Sequence, residues 1–220
     1  MKTCVIMQPT YLPWLGYFDL IKSADVFVFL DHAQFSKQSW QQRNRVRDKN
    51  GELMLTIPVT KSSSWEKPIC QVEIDHAKKP LIKHIKSIKS IYGKALNFSS
   101  IYPELENIYG KNHKFLAELN IELIKFGCKE MGIATEMVRS STLGYSKPKV
   151  EGIIEICKHF NCQNYLSPVG SKEYIEENDI FTENGINLAY QNYTHITYEQ
   201  MNYSNFISHL SFIDYLFNKK

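Results

Sequence analysis

Long apolar runs and paired cysteines are both missing from this chain of 220 residues. No apolar stretch approaches the roughly 20 residues that a membrane helix needs. The run at residues 4–7 ends at Gln8, too early for a signal peptide. The five cysteines are scattered without zinc-ligand spacing, and Cys157 and Cys162 lie too far apart for a redox pair. We therefore expect a cytoplasmic protein with reduced thiols and no stable membrane insertion.

Strong net charge is also missing. The formal charge is only +3, too weak by itself to indicate nucleic acid, so we expect no nucleic-acid partner. The seven histidines form no metal-ligand set. Because His76, His84 and His113 lie in helix or turn contexts without partnered carboxylates, we expect no protein-built metal site.

What the chain does contain is an alternation of short apolar runs with amphipathic segments. This order predicts an α/β protein, a three-layer domain over 1–220 with a parallel sheet and a helical insert at 79–131. The sequence leaves the oligomeric state open. Strands are predicted at 4–7, 26–30, 53–59, 69–74, 135–139, 164–167 and 186–190, and helices from 79, from Pro103, over 113–131, after Pro148 and over 206–217.

The most informative segment runs from residue 7 to residue 20, between the first strand and the first helix. Two prolines and a glycine predict a stiff loop there. Ligands of parallel α/β units bind at the carboxyl ends of the strands, beside a helix N-terminus. The side chains that can contact such a ligand are Gln8, Thr10, Tyr11, Trp14 and Tyr17.

The second strand ends at Asp31 and delivers His32 and Gln34 to the same sheet edge. A carboxylate, an imidazole and an amide together can orient a polar substrate or assist proton transfer. The alternative is that Asp31 caps the next turn and His32 is solvated.

The basic excess is concentrated between Lys37 and Lys49, around Trp40. Arg43 and Arg45 lie two positions apart, so in an extended segment they share a face and can clamp a phosphate or carboxylate. In a helix they diverge, and a solvated basic face is the better interpretation.

A small-residue loop follows the predicted strand at 164–167. Its backbone N–H groups, between Ser167 and Ser171, can hold an anion, although an ordinary turn explains the loop about as well. We interpret residues 140–142, after another strand, as a helix-capping region.

Three stretches carry a family resemblance: "QPTYLPWLGYFDLI", "SADVFVFLDHAQFSKQSWQQRNRV" and "LTIPV". Together with "YLSPVGSKEYI", "YQNYTH" and "LSFIDYLFN", they resemble the WbqC-like family of bacterial surface-polysaccharide gene clusters. The resemblance covers essentially the whole chain. It implies a role in transferring glycine onto a sugar of O-antigen.

The N-terminal half is also similar, more distantly, to pantothenate synthetase and related nucleotide-binding ligases. This similarity implies a fold like that of HIGH-type nucleotidyltransferases, ATP with Mg²⁺ as cofactor, and an acyl-adenylate that an amine attacks. Trp14 and Tyr17 stand where the two HIGH histidines are expected. Either Lys37, Arg43 and Arg45 supply the missing contacts to phosphate, or the adenylation chemistry is gone.

The hypothesis from sequence is an enzyme that acylates a nucleotide-linked amino sugar with an amino acid such as glycine. The alternative is a non-catalytic module that binds a sugar nucleotide. The candidate catalytic residues are Asp31, Gln34 and Lys37, and the candidate binding residues are Gln8, Tyr11, Trp14, Gly16, Tyr17, His32, Arg43, Asn44, Arg45, Ser167, Gly170, Ser171, Tyr174 and Gln191.

Overall fold

The computed structural model of the chain describes residues 1–63, 66–144, 149–175, 179–201, 203 and 205–220. These residues divide into two compact units. The sheet unit comprises 1–8, 16–32 and 133–194, and the helical unit comprises 9–15, 33–132 and 195–220. The strands are β1 (Thr3–Met7), β2 (Val26–Phe29), β3 (Arg43–Asp48), β4 (Gly51–Thr56), β5 (Glu136–Arg139), β6 (Asn164–Ser167) and β7 (Asn187–Tyr190). The α-helices are α1 (Leu15–Lys22), α2 (Pro80–Tyr92), α3 (Phe98–Gly110), α4 (Leu116–Glu130), α5 (Lys149–His159), α6 (Lys172–Ile175), α7 (Ile180–Glu183) and α8 (Phe212–Asn218).

A parallel sheet organises the sheet unit. Its strands lie in the order β5-β2-β1-β6-β7, and every neighbouring pair is parallel. In order of appearance along the chain, this is the 3-2-1-4-5 arrangement of Rossmann-like folds. The predicted α/β class with a parallel sheet is therefore confirmed.

The two faces of the sheet are both apolar, which follows from strands that read as continuous apolar runs. Successive side chains point to opposite faces. Cys4 and Val28 face a core that also contains Cys157 of α5. On the other face, the ring of Phe27 lies 5.6 Å from that of Tyr17 of α1. Helices consequently cover both sides of the sheet.

The helical unit combines an antiparallel β3–β4 hairpin with helices α2, α3, α4 and α8. The amphipathic residues between 79 and 131 form α2, α3 and α4, each with a buried stripe. The organisation predicted for this region, an insert within one domain, stays a prediction. Among the described residues, no helix has the length and apolar character required to cross a membrane.

Two predicted strands were wrong in detail. The run predicted at 53–59 as a buried strand is the hairpin strand β4, which ends before Pro58 and alternates in exposure. Residues 69–74 include a 3-10 helix, Ile69–Gln71, rather than a strand. Its three residues follow Pro68, which lacks an N–H to donate to a β ladder.

Two helix starts also differ from the prediction. Pro103 lies inside α3, which begins at Phe98. The closing helix begins at Phe212 rather than 206, where the Ser211 hydroxyl accepts a hydrogen bond from Ile213 N–H. Because that cap satisfies a first-turn donor, it sets the start of α8 more firmly than apolar spacing does.

Candidate functional site

The carboxyl edge of the sheet is the place where a Rossmann-like fold binds ligands. Strand order reverses between β1 and β6, and these two strands pair over only two positions, Thr3 with Asn164 and Cys4 with Tyr165. Each of the other neighbouring pairs runs over four positions. The β1–β6 pairing therefore ends before either strand does, at the point where the strand order reverses.

Gln8 and Tyr17 flank the β1 side of this edge. Gln8 is half-buried directly after β1, and its backbone carbonyl accepts a 3.0 Å hydrogen bond from the Tyr17 hydroxyl. Tyr17 is only 2% exposed. Its side chain thus fixes the backbone at the end of β1.

On the β6 side lies the small-residue loop. The hydroxyls of Ser167 and Ser171 are buried and lie 2.5 Å apart, and Ser171 Oγ also donates to the carbonyl of Pro168 at 2.7 Å. Gly170 is exposed, and a Cβ built there would meet nothing within 4 Å. The loop is therefore a 3-10 turn with hydrogen bonds of its own and open space around the Cβ position of its glycine. The side chain of Tyr174, a predicted binding residue, lies outside the described part of the structure.

Gln191 follows β7 and ties the edge to the first helix. Its Nε2 donates to the carbonyl of Gly16 at 2.8 Å and to Asp19 Oδ2 at 2.7 Å. Its own backbone N–H donates to the carbonyl of Ser167. Gln191 consequently fixes the N-terminal turn of α1 against the ends of β6 and β7.

Asp31 lies at the other end of the edge, fully buried. Its carboxylate accepts from Arg139 Nε at 2.7 Å, Ser140 Oγ at 3.1 Å, Ser141 N–H at 2.8 Å and Ser141 Oγ at 2.7 Å. A carboxylate has about four lone-pair sites. All of the acceptor capacity of Asp31 is therefore used within the protein, in joining the ends of β2 and β5.

His32, the next residue, is half-buried. Its Nδ1 lies 2.6 Å from the hydroxyl oxygen of Ser140. Ser140 Oγ also accepts from the backbone N–H of Asp31 at 3.1 Å. The three side chains consequently form a connected polar chain at the ends of β2 and β5.

The remaining predicted residues belong to the helical unit, and several have internal partners. The Tyr11 hydroxyl is buried between His84 Nδ1 at 2.8 Å and the Tyr109 hydroxyl at 2.5 Å. Burial lowers the pKa of His84 to about 4. Asn44 Nδ2 donates to the backbone carbonyls of Tyr11 and Leu12. Tyr11 and Asn44 thus hold the segment 9–15 within its own unit.

Arg43 and Arg45 lie in β3, so they share a face as expected of an extended segment. Arg45 Nη1 pairs across the hairpin with the carboxylate of Glu52 at 2.9 Å. Arg43 is half-buried, while Gln34 and Lys37 are exposed. Gln34 is held through its backbone, which forms an isolated antiparallel bridge with Pro68.

Trp14 is part of an aromatic group that was not predicted. Its ring lies 4.7 Å from that of His209 and 6.1 Å from that of His195. Partial burial lowers the pKa of His209, and the charges of His195 and Arg45 add to that effect. The sequence offers no local signal for this grouping, because both histidines lie far from Trp14 along the chain.

Arg139, Ser140 and Ser141 are the residues of the sheet edge that sequence reasoning missed. They were interpreted as the end of a strand and a helix cap. Their contact with Asp31 depends on the pairing of β2 with β5, about which neither segment carries information by itself.

One histidine prediction was wrong. His113 does have a carboxylate partner, since its Nε2 lies 2.5 Å from Glu122 Oε2. Within the described ranges, no group of three or more His, Cys, Asp or Glu side chains is arranged to hold a metal ion.

Comparisons with known proteins agree with the resemblance. The model of the WbqC-like protein family matches residues 8–220. The uncharacterized protein Rv1507c of Mycobacterium tuberculosis (strain ATCC 25618 / H37Rv) is 30% identical over 220 residues, which cover 99% of this chain and 94% of that protein. No solved structure matches significantly.

Proposed function

Because the chain belongs to the WbqC-like protein family, we propose that it is a cytoplasmic enzyme of surface-polysaccharide biosynthesis. Its reaction is the transfer of a glycyl group to the amino group of a nucleotide-linked amino sugar. The sugar nitrogen attacks the glycyl carbonyl carbon, a C–N amide bond forms, and the bond between that carbon and its carrier breaks. The partners in this reaction are the nucleotide-linked sugar and the carrier of the glycyl group.

The observation that carries the proposal is the short β1–β6 pairing at the reversal of strand order. Nucleotide ligands of Rossmann-like sheets bind in the crevice at such a reversal. A nucleotide sugar placed there has the turn at Val169–Ser171 on one side and Gln8 on the other. Backbone N–H groups of the turn suit a diphosphate, and the Gln8 amide suits the polar edge of a base or sugar.

The source of activated glycine is a separate question. The acyl-adenylate route, with ATP and Mg²⁺, needs groups that hold the ATP phosphates. Tyr17, at one of the two HIGH-type positions, is buried and donates its hydroxyl to the carbonyl of Gln8, so it does not serve that purpose. We therefore favour a glycyl group that arrives already esterified to a carrier.

The first test is ligand-induced stabilisation in Gly170→Leu. A sugar nucleotide at 100 times its dissociation constant should raise the melting temperature of the unaltered protein by roughly 5 to 10 °C. Because a Cβ at residue 170 meets nothing within 4 Å, the variant should fold normally. Its leucine side chain should occupy the space of the diphosphate and remove most of that rise.

Gly110→Leu is the matched control, since its Cβ also meets nothing within 4 Å and it lies at the end of α3. It should respond to ligand as the unaltered protein does. A panel of UDP, dTDP and GDP amino sugars, their N-acetyl forms and ATP with Mg²⁺ identifies the nucleotide. Stabilisation by ATP alone, or an equal response of the two glycine variants, would contradict the proposed site.

A second candidate, a non-catalytic module that binds a sugar nucleotide, is favoured by one observation. Asp31, a candidate catalytic residue, has its acceptor capacity filled by Arg139, Ser140 and Ser141. The test is to measure stabilisation by an amino-sugar nucleotide and amide formation during long incubation with glycyl esters. Stabilisation without any amide product would support the binding module.

A further inference from the structure

The geometry points to His32 as the general base that removes the proton from the attacking amine. Asp31 and Ser140 act as positioning residues that fix its tautomer. This inference rests on the proposed function, because it assigns the proton transfer of that reaction to one nitrogen atom.

The tautomer of His32 follows from the hydrogen bonds of Ser140. The Ser140 oxygen accepts from the backbone N–H of Asp31 at 3.1 Å. It has one hydrogen to donate, and two acceptors are within reach: Asp31 Oδ1 at 3.1 Å and His32 Nδ1 at 2.6 Å. A carboxylate carries no hydrogen and can only accept. The contact with Asp31 is a hydrogen bond only if Ser140 donates to it.

Once Ser140 donates to Asp31, the short contact with His32 requires a hydrogen on the imidazole. Nδ1 must then carry the proton and donate to Ser140 Oγ. Both side-chain contacts of Ser140, with His32 and with Asp31, are then hydrogen bonds, and the bond to the carboxylate is charge-assisted. The opposite tautomer leaves Ser140 and Asp31 in contact without a shared hydrogen, at a site where both are buried.

With Nδ1 protonated, the lone pair of the neutral ring lies on Nε2. None of the described residues hydrogen-bonds to this nitrogen, and His32 is half-buried rather than enclosed. The ring follows β2 at the carboxyl edge of the sheet. The adjacent strand β1 ends beside it, with Leu30 N–H donating to the Met7 carbonyl at 2.8 Å. His32 therefore lies on the edge that holds Gln8 and the proposed ligand.

Asp31 does not itself compete for this role. Arg139 Nε and the Ser141 groups occupy the remaining acceptor positions of its carboxylate. Two charged side chains take part in this hydrogen-bonded group: Arg139, which donates to Asp31, and Asp31, which accepts from Ser140. A general base needs a lone pair that no hydrogen bond within the protein already uses. Among Asp31, His32 and Ser140, only Nε2 of His32 has such a lone pair.

His32 Nε2 takes a proton from the sugar amine as the nitrogen forms its bond to the glycyl carbonyl carbon. The carrier oxygen leaves with the electron pair of the broken ester bond. The same Nε2–H then gives its proton to that oxygen. No oxidant, reductant or metal takes part in these steps.

The first experiment is direct observation of the tautomer by ¹⁵N NMR of the imidazoles in the full chain. The His32 resonances, assigned by comparison with His32→Gln, should show Nδ1–H and a non-protonated Nε2 at neutral pH. Ser140→Ala should shift the ring toward a mixture of tautomers, and Ser140→Thr, which keeps the hydroxyl, should restore Nδ1–H. An Nε2–H tautomer in the unaltered protein would overturn the inference.

The second experiment separates binding from turnover. His32→Gln should keep the stabilisation by the amino-sugar nucleotide and a KM within about threefold, while kcat falls by roughly 10² to 10⁴. His159→Gln, the same substitution at an exposed histidine of α5, is the matched control and should leave kcat unchanged. Equal kcat in His32→Gln and the unaltered protein would contradict the role of His32 but not the proposed function. Absence of product from the unaltered protein contradicts the proposed function, and this inference with it.

Discussion

Tyr11 comes from the loop richest in candidate binding residues, yet its side chain is completely buried. Its hydroxyl lies 2.8 Å from His84 Nδ1 and 2.5 Å from the Tyr109 hydroxyl. The other imidazole nitrogen of His84 donates to the backbone carbonyl of Thr56. Because the ring of His84 is almost completely enclosed, burial disfavours its charged form and lowers its pKa.

This arrangement predicts how stability depends on pH. Folding lowers the pKa of His84 from 6.5 to about 4, so the unfolded state binds more protons over that interval. The contribution of neutral His84 to the stability of the folded protein is complete above pH 6.5 and is lost as the pH falls toward 4. It amounts to about 3 kcal/mol of unfolding free energy.

Urea unfolding of the unaltered protein and of His84→Gln, from pH 4 to pH 7, measures this contribution. Glutamine keeps one donor and one acceptor but does not titrate, so the difference between the two curves should vary with pH by about that amount. His159→Gln, at an exposed site, should keep the slope of the unaltered protein. Parallel curves for His84→Gln and the unaltered protein would contradict the assignment.

Among the elements, the β3–β4 hairpin departs most from the predicted organisation. Its first strand carries Arg43, Asn44, Arg45 and Arg47, and it has little of the apolar alternation that indicates a strand. Contacts with β4 compensate for the weak apolar pattern of β3, since Arg45 lies opposite Met54 and forms an ion pair with Glu52. Both partners of the pair are partly exposed, with side-chain exposures of 26% and 35%. Its contribution to stability is therefore small.

The hairpin provides a test of the predicted phosphate contact. Arg45→Gln and Glu52→Gln should each change the unfolding free energy by less than about 1 kcal/mol, because each breaks the same exposed pair. If Arg45 holds a phosphate, only Arg45→Gln should also reduce stabilisation by sugar nucleotides in a thermal-shift assay. Equal ligand responses from the two variants would remove Arg45 from the binding residues.

The elements that sequence predicts well are those whose pattern is local. β2 and β6 are short apolar runs that end in polar residues, and both were predicted within a residue of their bounds. Of the hairpin, β3 was not predicted as a strand, because its extended form depends on pairing with β4. In the same way Asp31 and His32 were recognised as candidates, whereas Ser140, 109 positions from Asp31, was not. Strand order decides that contact, and short segments do not encode it.

For the whole molecule, the important feature is that both units are discontinuous. Each is assembled from three chain segments, so the chain passes repeatedly from one unit to the other. In the sheet unit, β5 pairs with β2, and β6 pairs with both β1 and β7. In the helical unit, Asn97 Nδ2 near the start of α3 donates to the carbonyl of Leu216 in α8. Neither unit is complete within one half of the sequence.

We therefore expect no folded fragment from a cut between residues 132 and 133. The piece 133–220 contains β5, β6 and β7 but lacks both strands that join β5 to β6. It should give a poorly dispersed ¹H–¹⁵N spectrum and no cooperative thermal transition. The piece 1–132 lacks α8 and should behave similarly, while the intact chain unfolds cooperatively. A well-dispersed spectrum from either piece alone would contradict this expectation.

The position of β1 in the centre of the sheet has a consequence for synthesis on the ribosome. Lys2, directly before β1, donates its backbone N–H to the side-chain oxygen of Gln163, which is 161 positions later in the chain. At translation rates of about 5–20 residues per second, that partner arrives on the order of 10 to 30 seconds after Lys2. During this interval β1 has an unpaired apolar edge, the kind of surface that recruits other strands. The nascent chain therefore depends on early pairing with β2, or on a chaperone, to keep β1 available until the last third of the protein has been made.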